Sequence, residues 1–401
     1  MKLLLVVPDY PPYNQGGGGT VYKAIAETLS ERGHTVKLIA GYYQKEFKKE
    51  VIKENNVNIE LVSVPLVNVF RSKHPIFRSH LPPTLKSLWY LSSIKYNEYD
   101  AIHLMAFGHL LIDFVSFMSK LKNTNVILTI HGFPKYVQRE GKASIFIKLL
   151  YNAYTNTLGK RTINSAKTIT VPSSFVAKEC MKNHIPNSKI QTISNGIDLK
   201  LYTPTQSNEL QSKYFITHDD ILLLSIGRVY WFKGFEYAIE SVSLLAKKTD
   251  RPIKYMIIGQ IEDHAYFSAL NKQIERLNLK DNVIFTGFTD QKFKLSALSR
   301  AHVFLIPSLH ETFGIVTLEA MAMGIPIVAS RIEGIEDTLE DMNTGIFVPP
   351  AKPERICDAM LSLLNDADLY KKISSNAKCK VKDYDWDRVT DRYEKIYRSM
   401  I

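Results

Sequence analysis

The sequence has 401 residues, of which 45% are hydrophobic and 23% are charged. At ~150 residues per domain this length predicts two or three domains, and the apolar content can form a buried core in each. Intrinsic disorder, collagen-like sequence and a small disulfide scaffold are excluded. Residues 1–200 contain 26 basic and 13 acidic side chains and residues 201–401 contain 25 and 27, so the excess positive charge of +11 lies entirely in the first half.

The cysteines and the apolar segments bear on the cellular setting. Cys180, Cys357 and Cys379 are far apart and form no CxxC pair, which favours a reducing, cytoplasmic environment over disulfides or a zinc ribbon. The apolar run 3–7 is shorter than the ~7–15 residues of a signal-peptide core and predicts a buried first strand. The apolar stretch 313–329 contains Glu319, Gly and Pro, so any membrane contact is expected to be peripheral.

Short Val, Ile and Leu runs alternate with segments of helical period, which is typical of parallel sheets built from βαβ units. In the first half, strands are predicted at 3–7, 35–40, 101–105, 126–130, 168–171 and 190–193, with helices at 22–31 and 111–121. In the second half, strands are predicted at 221–226, 255–258, 283–285, 303–306 and 325–329, with helices near 236–247, 266–277 and 315–323. The pattern predicts an α/β protein with two Rossmann-like, doubly wound domains.

The boundary is predicted near residue 200, within the Pro-, Ser-, Asn- and Gln-containing segment 195–219. This gives a first domain at 1–200 and a second at 201–385. The last segment, 386–401, has helical period and no strand after it, so it either caps the second domain or crosses back to the first.

Glycines 16–19 lie between the first strand and a helix predicted to begin near Thr20. Glycines allow close backbone approach to a ligand, and a helix start favours anions. The run is neither a GxGxxG nor a P-loop motif. It is interpreted either as a phosphate or sugar cradle or as a flexible surface loop.

Gly227-Arg228 ends a predicted strand, and Lys233-Gly234 follows at a predicted helix start. Carboxyl ends of strands in an open α/β sheet border the ligand crevice, so two cations there can bind a diphosphate. The alternative is a solvated loop with two ordinary cations.

Glu311 and Glu319 are eight residues apart, and on one continuous helix their side chains would diverge by ~80°. If the helix starts near Gly314, Glu311 precedes it and Glu319 lies one to two turns inside. A ribose diol is a plausible polar partner for a glutamate in so apolar a run. The alternative is a capping acid followed by a solvated glutamate.

Together these segments resemble the retaining glycosyltransferases of family 4, also called glycosyltransferase group 1, which have the GT-B fold of two Rossmann-like domains facing a central cleft. The resemblance covers almost the whole chain. Its motifs are the glycine run, LTIHGF with His131-Gly132, NGID at 195–198, GRVYWFKG at 227–234, FTGF at 285–288, the E-x7-E pattern ETFGIVTLE at 311–319, and a tail with Tyr384 and Trp386.

The resemblance implies that Arg228 and Lys233 bind the donor diphosphate, that Glu319 binds the ribose hydroxyls and that Glu311 holds hydroxyls of the transferred sugar. The backbone amides that would assist Glu311 are those of Phe313, Gly314 and Ile315. It further implies retention of anomeric configuration, with the leaving phosphate accepting the acceptor proton.

For the first domain, the resemblance implies that Gly17 and Gly18 close on the donor phosphate and that His131 lies near the sugar and the acceptor. The segment containing Phe288 would border the base. Without the resemblance, the alternative is that His131 is a satisfied histidine at a strand end.

No cofactor or metal is expected, since two cations and a helix end can neutralise the diphosphate. Asp383-Tyr384-Asp385 spells a DxD, the metal motif of a different transferase fold, but its place before a helix favours an N-cap.

Residues 61–178 contain 15 basic and only four acidic side chains. Within them, residues 69–96 have no acid and interleave aromatic side chains with cations, which suits an anionic bilayer. These side chains are Phe70, Arg71, Lys73, Phe77, Arg78, Lys86, Trp89 and Tyr90. A second basic and apolar stretch is 142–161. The alternative is a solvated basic surface, and no nucleic-acid-binding signature is present.

The sequence therefore predicts a hexosyltransferase that uses a UDP- or GDP-linked sugar and a glycan or lipid-linked acceptor in cell-surface glycan or glycolipid synthesis, at the inner face of the membrane. The alternatives are an epimerase or a phosphorylase of the same fold, a dinucleotide-dependent oxidoreductase, which the missing GxGxxG disfavours, and a non-catalytic sugar-binding protein.

Overall fold

The computed structural model describes residues 1–11, 17–42, 47–54, 57–66, 82–133 and 145–401. The chain divides into two compact units. Unit 1 contains Met1–Asn195 and Trp386–Ile401, and unit 2 contains Gly196–Asp385. The boundary between Asn195 and Gly196 lies at the start of the segment 195–219, in which the sequence predicts a domain boundary.

Unit 1 contains an eight-stranded sheet in the order β3-β4-β2-β1-β5-β6-β7-β8, parallel except between β3 and β4. The strands are β1 (Lys2–Val7), β2 (Thr35–Tyr42), β3 (Lys48–Glu54), β4 (Val57–Pro65), β5 (Ala101–Leu104), β6 (Val126–Thr129), β7 (Ala166–Val171) and β8 (Ile190–Thr192). Helices cover both faces of a parallel sheet, so a central strand is a continuous apolar run. Leu3, Leu4 and Leu5 of β1 are accordingly fully buried.

Most helices of unit 1 connect these strands. They are α1 (Gly17–Glu31), α2 (Leu85–Ser93), α3 (Leu110–Leu121), α4 (Ile145–Tyr154), α5 (Lys160–Ser165) and α6 (Ser174–Lys182). Short 3₁₀ turns lie at Tyr96–Glu98 and Asn187–Lys189, and a π-helical turn lies at Thr155–Gly159.

The structure corrects the prediction for where the first helix starts. The structure describes α1 from Gly17 onward, so Gly17, Gly18 and Gly19 form its first turn rather than a loop before a helix that begins near Thr20. Gly16 lies outside the described residues. The buried face formed by Val21, Ile25 and Leu29 stabilises the helix by tertiary packing, which outweighs the low helix propensity of glycine.

The last helix, α7 in unit 1 (Trp386–Arg398), packs on the first part of the chain. On the surface, Arg32 Nη1 donates to Asp391 Oδ1 at 2.6 Å. In the interior, the His103 ring lies between two hydroxyls: Nδ1 is 2.8 Å from the oxygen of Tyr397, and Nε2 is 2.6 Å from Oγ1 of Thr129. A buried polar network therefore joins α7 to β5 and β6.

Unit 2 contains a six-stranded parallel sheet in the order β11-β10-β9-β12-β13-β14. The strands are β9 (Ile221–Ile226), β10 (Ile253–Ile258), β11 (Val283–Gly287), β12 (Val303–Ile306), β13 (Ile327–Ser330) and β14 (Ile346–Val348). Counted from β9, the order is 3-2-1-4-5-6, the doubly wound topology in which ligands bind outside the carboxyl ends of the strands where the order reverses. In unit 2 that point lies between β9 and β12.

The helices of unit 2 are α8 (Glu209–Tyr214), α9 (Phe235–Leu245), α10 (His264–Arg276), α11 (Gln291–Arg300), α12 (Ile315–Met323), α13 (Glu333–Glu336), α14 (Pro353–Asn365) and α15 (Ala367–Lys380). Successive residues of β9 belong to different cores: Leu223 lies in one apolar cluster and Leu222 and Leu224 in another. Both faces of this sheet are therefore covered.

Some elements differ from the predictions. β3 and β4 were not predicted. Five of the seven residues of β3, KKEVIKE, are charged, which is a composition that an edge strand tolerates and that gives no apolar run. β14, α14 and α15 were not predicted either. β13 begins at Ile327 rather than 325 because the Ile325 amide donates to Ala320 at the end of α12 and Pro326 has no amide hydrogen.

Within the described ranges, no helix is long and apolar enough to cross a bilayer.

The buried His103 predicts a pH-dependent stability of unit 1. Burial lowers the pKa of His103 to about 3 from 6.5, and the nearby His131 adds to the shift. The unfolded chain therefore binds more protons below pH 6.5, and the stability present above that pH falls as the pH approaches 3. At pH 5 the loss is ~2 kcal/mol. We expect the urea midpoint of unit 1 to fall less between pH 8 and pH 5 in His103→Gln than in the wild type.

His184→Asn is the control for this experiment, because His184 is exposed and has a φ of 61°, which asparagine tolerates. Its pH dependence should match the wild type. An unchanged pH dependence in His103→Gln would contradict the prediction.

Candidate active site

The first part of the site is the turn that follows β9. Gly227 donates its amide to the Ile258 carbonyl at 2.8 Å, which keeps it beside β10. A Cβ on Gly227 would lie 3.2 Å from Cε of Lys233, so the lysine side chain packs directly over this glycine. Lys233 ends a 3₁₀ turn, Trp231–Lys233, before α9. The strand end and the helix start are thus brought together as the sequence predicts.

This turn is joined to the loop after β12 by close backbone contacts. The Leu309 amide donates to the Phe232 carbonyl at 2.8 Å. Gly234 has a φ of +65°, and a Cβ there would lie 2.2 Å from the Pro307 carbonyl oxygen. Glycine is therefore required at this position both for its backbone conformation and for space. The two loops that border the reversal point form one packed structure.

An ion pair crosses from one loop to the other. Lys233 Nζ lies 2.5 Å from Glu311 Oε1, and the two side chains are only 14% and 12% exposed. The same carboxylate oxygen accepts a hydrogen bond from Ser308 Oγ at 3.0 Å. Glu311 lies in the loop before α12, so the structure brings together two residues that are 78 positions apart.

Arg228 differs from Lys233 in exposure. Its side chain is 56% exposed, and Nη1 donates to Glu262 Oε2 at 2.8 Å. A guanidinium has five N–H donors. The contact with Glu262 therefore holds one end of the group and leaves donor capacity for a ligand at the carboxyl end of β9.

Glu319 lies on α12, which begins at Ile315 after Gly314. Gly314 has a φ of 73° and precedes the helix as its N-cap residue, which is the arrangement that the spacing of the two glutamates requires. The Phe313 side chain is buried in the core. The structure thus places the predicted residues Phe313, Gly314 and Ile315 at the N-terminus of α12, between Glu311 and Glu319.

The Glu319 carboxylate has two partners that sequence reasoning missed. Its Oε1 accepts hydrogen bonds from the Tyr202 hydroxyl and from Lys294 Nζ, each at 2.9 Å. Its Oε2 is buried and has no hydrogen-bond partner among the residues that the structure describes. Tyr202 lies four residues after the NGID motif, but neither that spacing nor any feature around Lys294 indicates a contact with Glu319.

Phe288 follows β11 and is exposed. The strands β9, β10 and β11 each end at or next to a glycine, so backbone groups rather than side chains line this edge of the sheet. Gly259 donates to the Gly287 carbonyl at 3.0 Å, and a Cβ on Gly259, which has a φ of +156°, would lie 2.0 Å from the Gly227 carbonyl oxygen. Gly259 was not singled out from the sequence. This glycine edge leaves backbone groups accessible at the carboxyl ends of three strands.

Three candidate residues lie in unit 1. Gly18 is next to Tyr22, since a Cβ there would be 3.5 Å from the tyrosine hydroxyl. The ring of Tyr22 is 5.7 Å from that of His131, which follows β6. The structure therefore brings the start of α1, with Gly17 and Gly18, near His131.

Burial lowers the pKa of His131 to about 4, and a hydrogen bond to the Met105 backbone opposes this shift. The imidazole is therefore neutral at pH 7. Its Nε2 is buried and without a hydrogen-bond partner among the described residues, so it can interact with a ligand hydroxyl.

Asp383 and Asp385 lie in and just after a 3₁₀ turn, Val381–Tyr384. Between them, the Tyr384 hydroxyl donates to the Asp337 carbonyl at 2.9 Å. In the part of the chain that the structure describes, no group of three or more His, Cys, Asp or Glu side chains could hold a metal ion.

Two family models match the chain. "Glycosyltransferase Family 4" matches residues 15–201 and "Glycosyl transferases group 1" matches residues 206–380. N-acetyl-alpha-D-glucosaminyl L-malate synthase of Bacillus anthracis is 24% identical over 403 residues, covering 100% of this chain and 98% of that protein.

Solved structures share the fold. Sucrose-phosphate synthase of Thermosynechococcus elongatus is similar over 100% of this chain and 99% of its own, with a TM-score of 0.74 and 19% identity. Anabaena HepE, solved in complex with UDP and in complex with UDP and glucose, is similar over 100% of both chains, with a TM-score of 0.73 and 16% identity.

The buried Lys233–Glu311 pair predicts energetic coupling. Lys233→Met and Glu311→Gln should each destabilise unit 2, because each leaves a buried charged partner without compensation. The double variant should lose less than the sum of the two by roughly 2 kcal/mol. Urea unfolding of the four proteins measures the coupling.

The exposed pair Lys248–Asp358, at 3.5 Å and about half exposed, is the matched control. Lys248→Met and Asp358→Asn should be additive within ~0.5 kcal/mol. Additivity at Lys233 and Glu311 as well would show that the pair contributes no coupling.

Proposed function

Because this chain belongs to the glycosyltransferases of family 4 and group 1, with the two-domain GT-B fold, we propose that it transfers a hexose from a nucleoside-diphosphate sugar to a hydroxyl of a glycan or lipid-linked acceptor, with retention of the anomeric configuration. The observation that carries the proposal is the position of Arg228 and Lys233 next to Gly227, at the reversal point of the unit 2 sheet.

The proposed donor contacts follow from the groups at that edge. The guanidinium of Arg228 and the ammonium of Lys233 bind the diphosphate, and the N-terminal amides of α12 add partial positive charge. Glu319 accepts hydrogen bonds from the ribose through Oε2. The exposed Phe288 and the glycine edge border the base. The likeness to HepE, which was solved with UDP, favours a uridine nucleotide, and a guanosine nucleotide is the second candidate.

In the proposed reaction the acceptor oxygen forms a bond with the anomeric carbon, and the bond between that carbon and the phosphate oxygen breaks on the same face. The leaving phosphate oxygen takes the acceptor proton, so the products are the glycoside and a nucleoside diphosphate. Arg228 and Lys233 stabilise the negative charge that develops on the phosphate. No divalent cation or other cofactor is proposed.

Glu311 orients the sugar by its hydroxyls in this scheme and is not a nucleophile. Its contact with Lys233 keeps the carboxylate in place before the donor binds. In unit 1, neutral His131 presents Nε2 to a hydroxyl, and Gly17 and Gly18 give the start of α1 a backbone that a phosphate can approach closely.

Unit 1, which we propose binds the acceptor, is proposed to contact the cytoplasmic face of an anionic membrane. On α2, Leu85 and Trp89 are both exposed, Trp89 by 74%, and on α3 Phe117 and Leu121 are exposed. Each pair is four residues apart and lies on one helix face, and the two helices contact each other. Exposed lysines Lys86, Lys120 and Lys122 accompany them.

Apolar side chains beside cations suit an anionic interface. Of the predicted basic and aromatic segment, Phe70, Arg71, Lys73, Phe77 and Arg78 lie outside the described residues, as do residues 142–144.

Turnover tests the donor site. Arg228→Ala and Lys233→Met should lower acceptor-dependent release of nucleoside diphosphate by ~100-fold or more, because each removes a cation from the leaving group. The assay combines UDP- or GDP-linked glucose, galactose, N-acetylglucosamine or mannose with candidate acceptors, and NMR of the product gives its anomeric configuration.

Lys280→Ala, which removes an exposed cation of unit 2, should retain wild-type turnover. Full activity of the Arg228 and Lys233 variants would refute their role. Conversion of the donor without an acceptor, or only with inorganic phosphate, would indicate an epimerase or a phosphorylase.

Vesicle sedimentation tests the membrane contact. The wild type should bind vesicles rich in phosphatidylglycerol at low salt and not phosphatidylcholine vesicles. Trp89→Ser with Phe117→Ser should weaken binding several-fold, because two apolar anchors are lost. The control Phe215→Asn removes an exposed aromatic residue from unit 2 and should bind as the wild type does. No binding of the wild type would eliminate the contact.

A further inference from the structure

The Glu319 carboxylate is held by one oxygen only. Both of its donors among the described residues, the Tyr202 hydroxyl and Lys294 Nζ, bind Oε1 at 2.9 Å. The Glu319 residue is 8% exposed, and Oε2 is buried without a partner among the described residues. The two halves of one carboxylate therefore have opposite environments.

Three separate segments of the chain meet at this carboxylate. Tyr202 follows the 3₁₀ turn Leu199–Leu201, Lys294 lies on α11 and Glu319 on α12. Lys294 Nζ is also 5.9 Å from the centre of the Tyr202 ring, which is within the range of a cation–π contact. The two donors thus support each other as well as the carboxylate.

Tyr202 remains a hydrogen-bond donor at neutral pH. Burial raises its pKa well above the usual value, and the charge of Glu319 adds to the shift. A hydroxyl and an ammonium on Oε1 fix the rotation of the carboxylate, so Oε2 keeps one direction. A buried oxygen without a partner is costly and calls for an explanation. A donor supplied by a ligand provides one.

We propose that Lys294 and Tyr202 are positioning residues for the donor nucleotide: by holding Oε1 of Glu319, they direct Oε2 toward a ribose hydroxyl. This inference rests on the proposed function, since it requires a nucleotide at Glu319. Neither residue touches the reacting atoms. They affect how strongly the protein prefers a nucleotide with both ribose hydroxyls over the corresponding dideoxy nucleotide.

The test is a ratio of affinities measured by calorimetry. UDP is compared with 2′,3′-dideoxy-UDP, and GDP with its dideoxy form. The wild type should bind the nucleotide that has both hydroxyls ~10-fold or more tightly, because hydrogen bonds to a charged carboxylate are lost in the dideoxy form. Glu319→Gln, which has no charged carboxylate, should give the lowest ratio of the affinities for the two forms.

Lys294→Met and Tyr202→Phe should each reduce this ratio by ~3-fold or more, chiefly by weakening binding of the nucleotide with hydroxyls. Tyr202→Phe removes a single oxygen and serves if Lys294→Met does not fold. Lys294→Arg should restore most of the ratio. Lys292→Met is the matched control, because Lys292 is exposed on the same helix, and its ratio should equal the wild type.

Two results would overturn the inference and leave the proposed transfer reaction standing, although the first would also remove the ribose contact proposed for Glu319. One is a wild type that binds both forms equally. The other is a pair of variants that lose affinity for both forms by the same factor, which is the result of a purely structural role. If the wild type binds neither UDP nor GDP, the proposed function fails and the inference with it.

Discussion

The ion pair between Lys233 and Glu311 connects the segments that follow β9 and β12, the two parallel strands between which the strand order of the unit 2 sheet reverses. Burying both charges is possible only because each compensates the other and Ser308 adds a hydrogen bond. The pair fixes the ammonium beside the position proposed for the diphosphate and the carboxylate beside the position proposed for the sugar hydroxyls. A ligand that binds here finds charges already oriented.

The same principle holds for the other charged groups. Arg228 is paired with Glu262 and Glu319 with Lys294, so every predicted charged residue of unit 2 has an opposite charge beside it. The contact of Arg228 is at the surface, where solvent screens it, whereas that of Glu319 is buried. Glycines make the close packing of these loops possible, since side chains at positions 234 and 259 would collide with neighbouring carbonyl oxygens.

Much of this site was predictable because it lies in local patterns. Apolar runs locate β9 and β12. Gly227-Arg228 follow β9 directly, and Glu311 lies in the loop five residues after β12. Gly314 correctly predicts the start of α12, because a residue with positive φ precedes that helix. Lys294 and Tyr202 were not predictable, since they approach Glu319 from 25 and 117 residues away. Hydrophobic periodicity and local motifs carry no information about contacts between residues so far apart in the sequence. The glycine run was misjudged because propensity argues for a loop, whereas packing of Val21, Ile25 and Leu29 extends the helix.

The return of the helix Trp386–Arg398 to unit 1 makes that unit discontinuous in sequence, with all of Gly196–Asp385 inserted between its parts. A ribosome makes the inserted unit completely before it makes Tyr397, which His103 contacts in the core of unit 1. During synthesis, unit 1 therefore cannot complete its core until the whole of unit 2 has been translated. A polypeptide cut before residue 386 would keep every residue of unit 2 but would lose the Tyr397 partner of the buried His103 in unit 1.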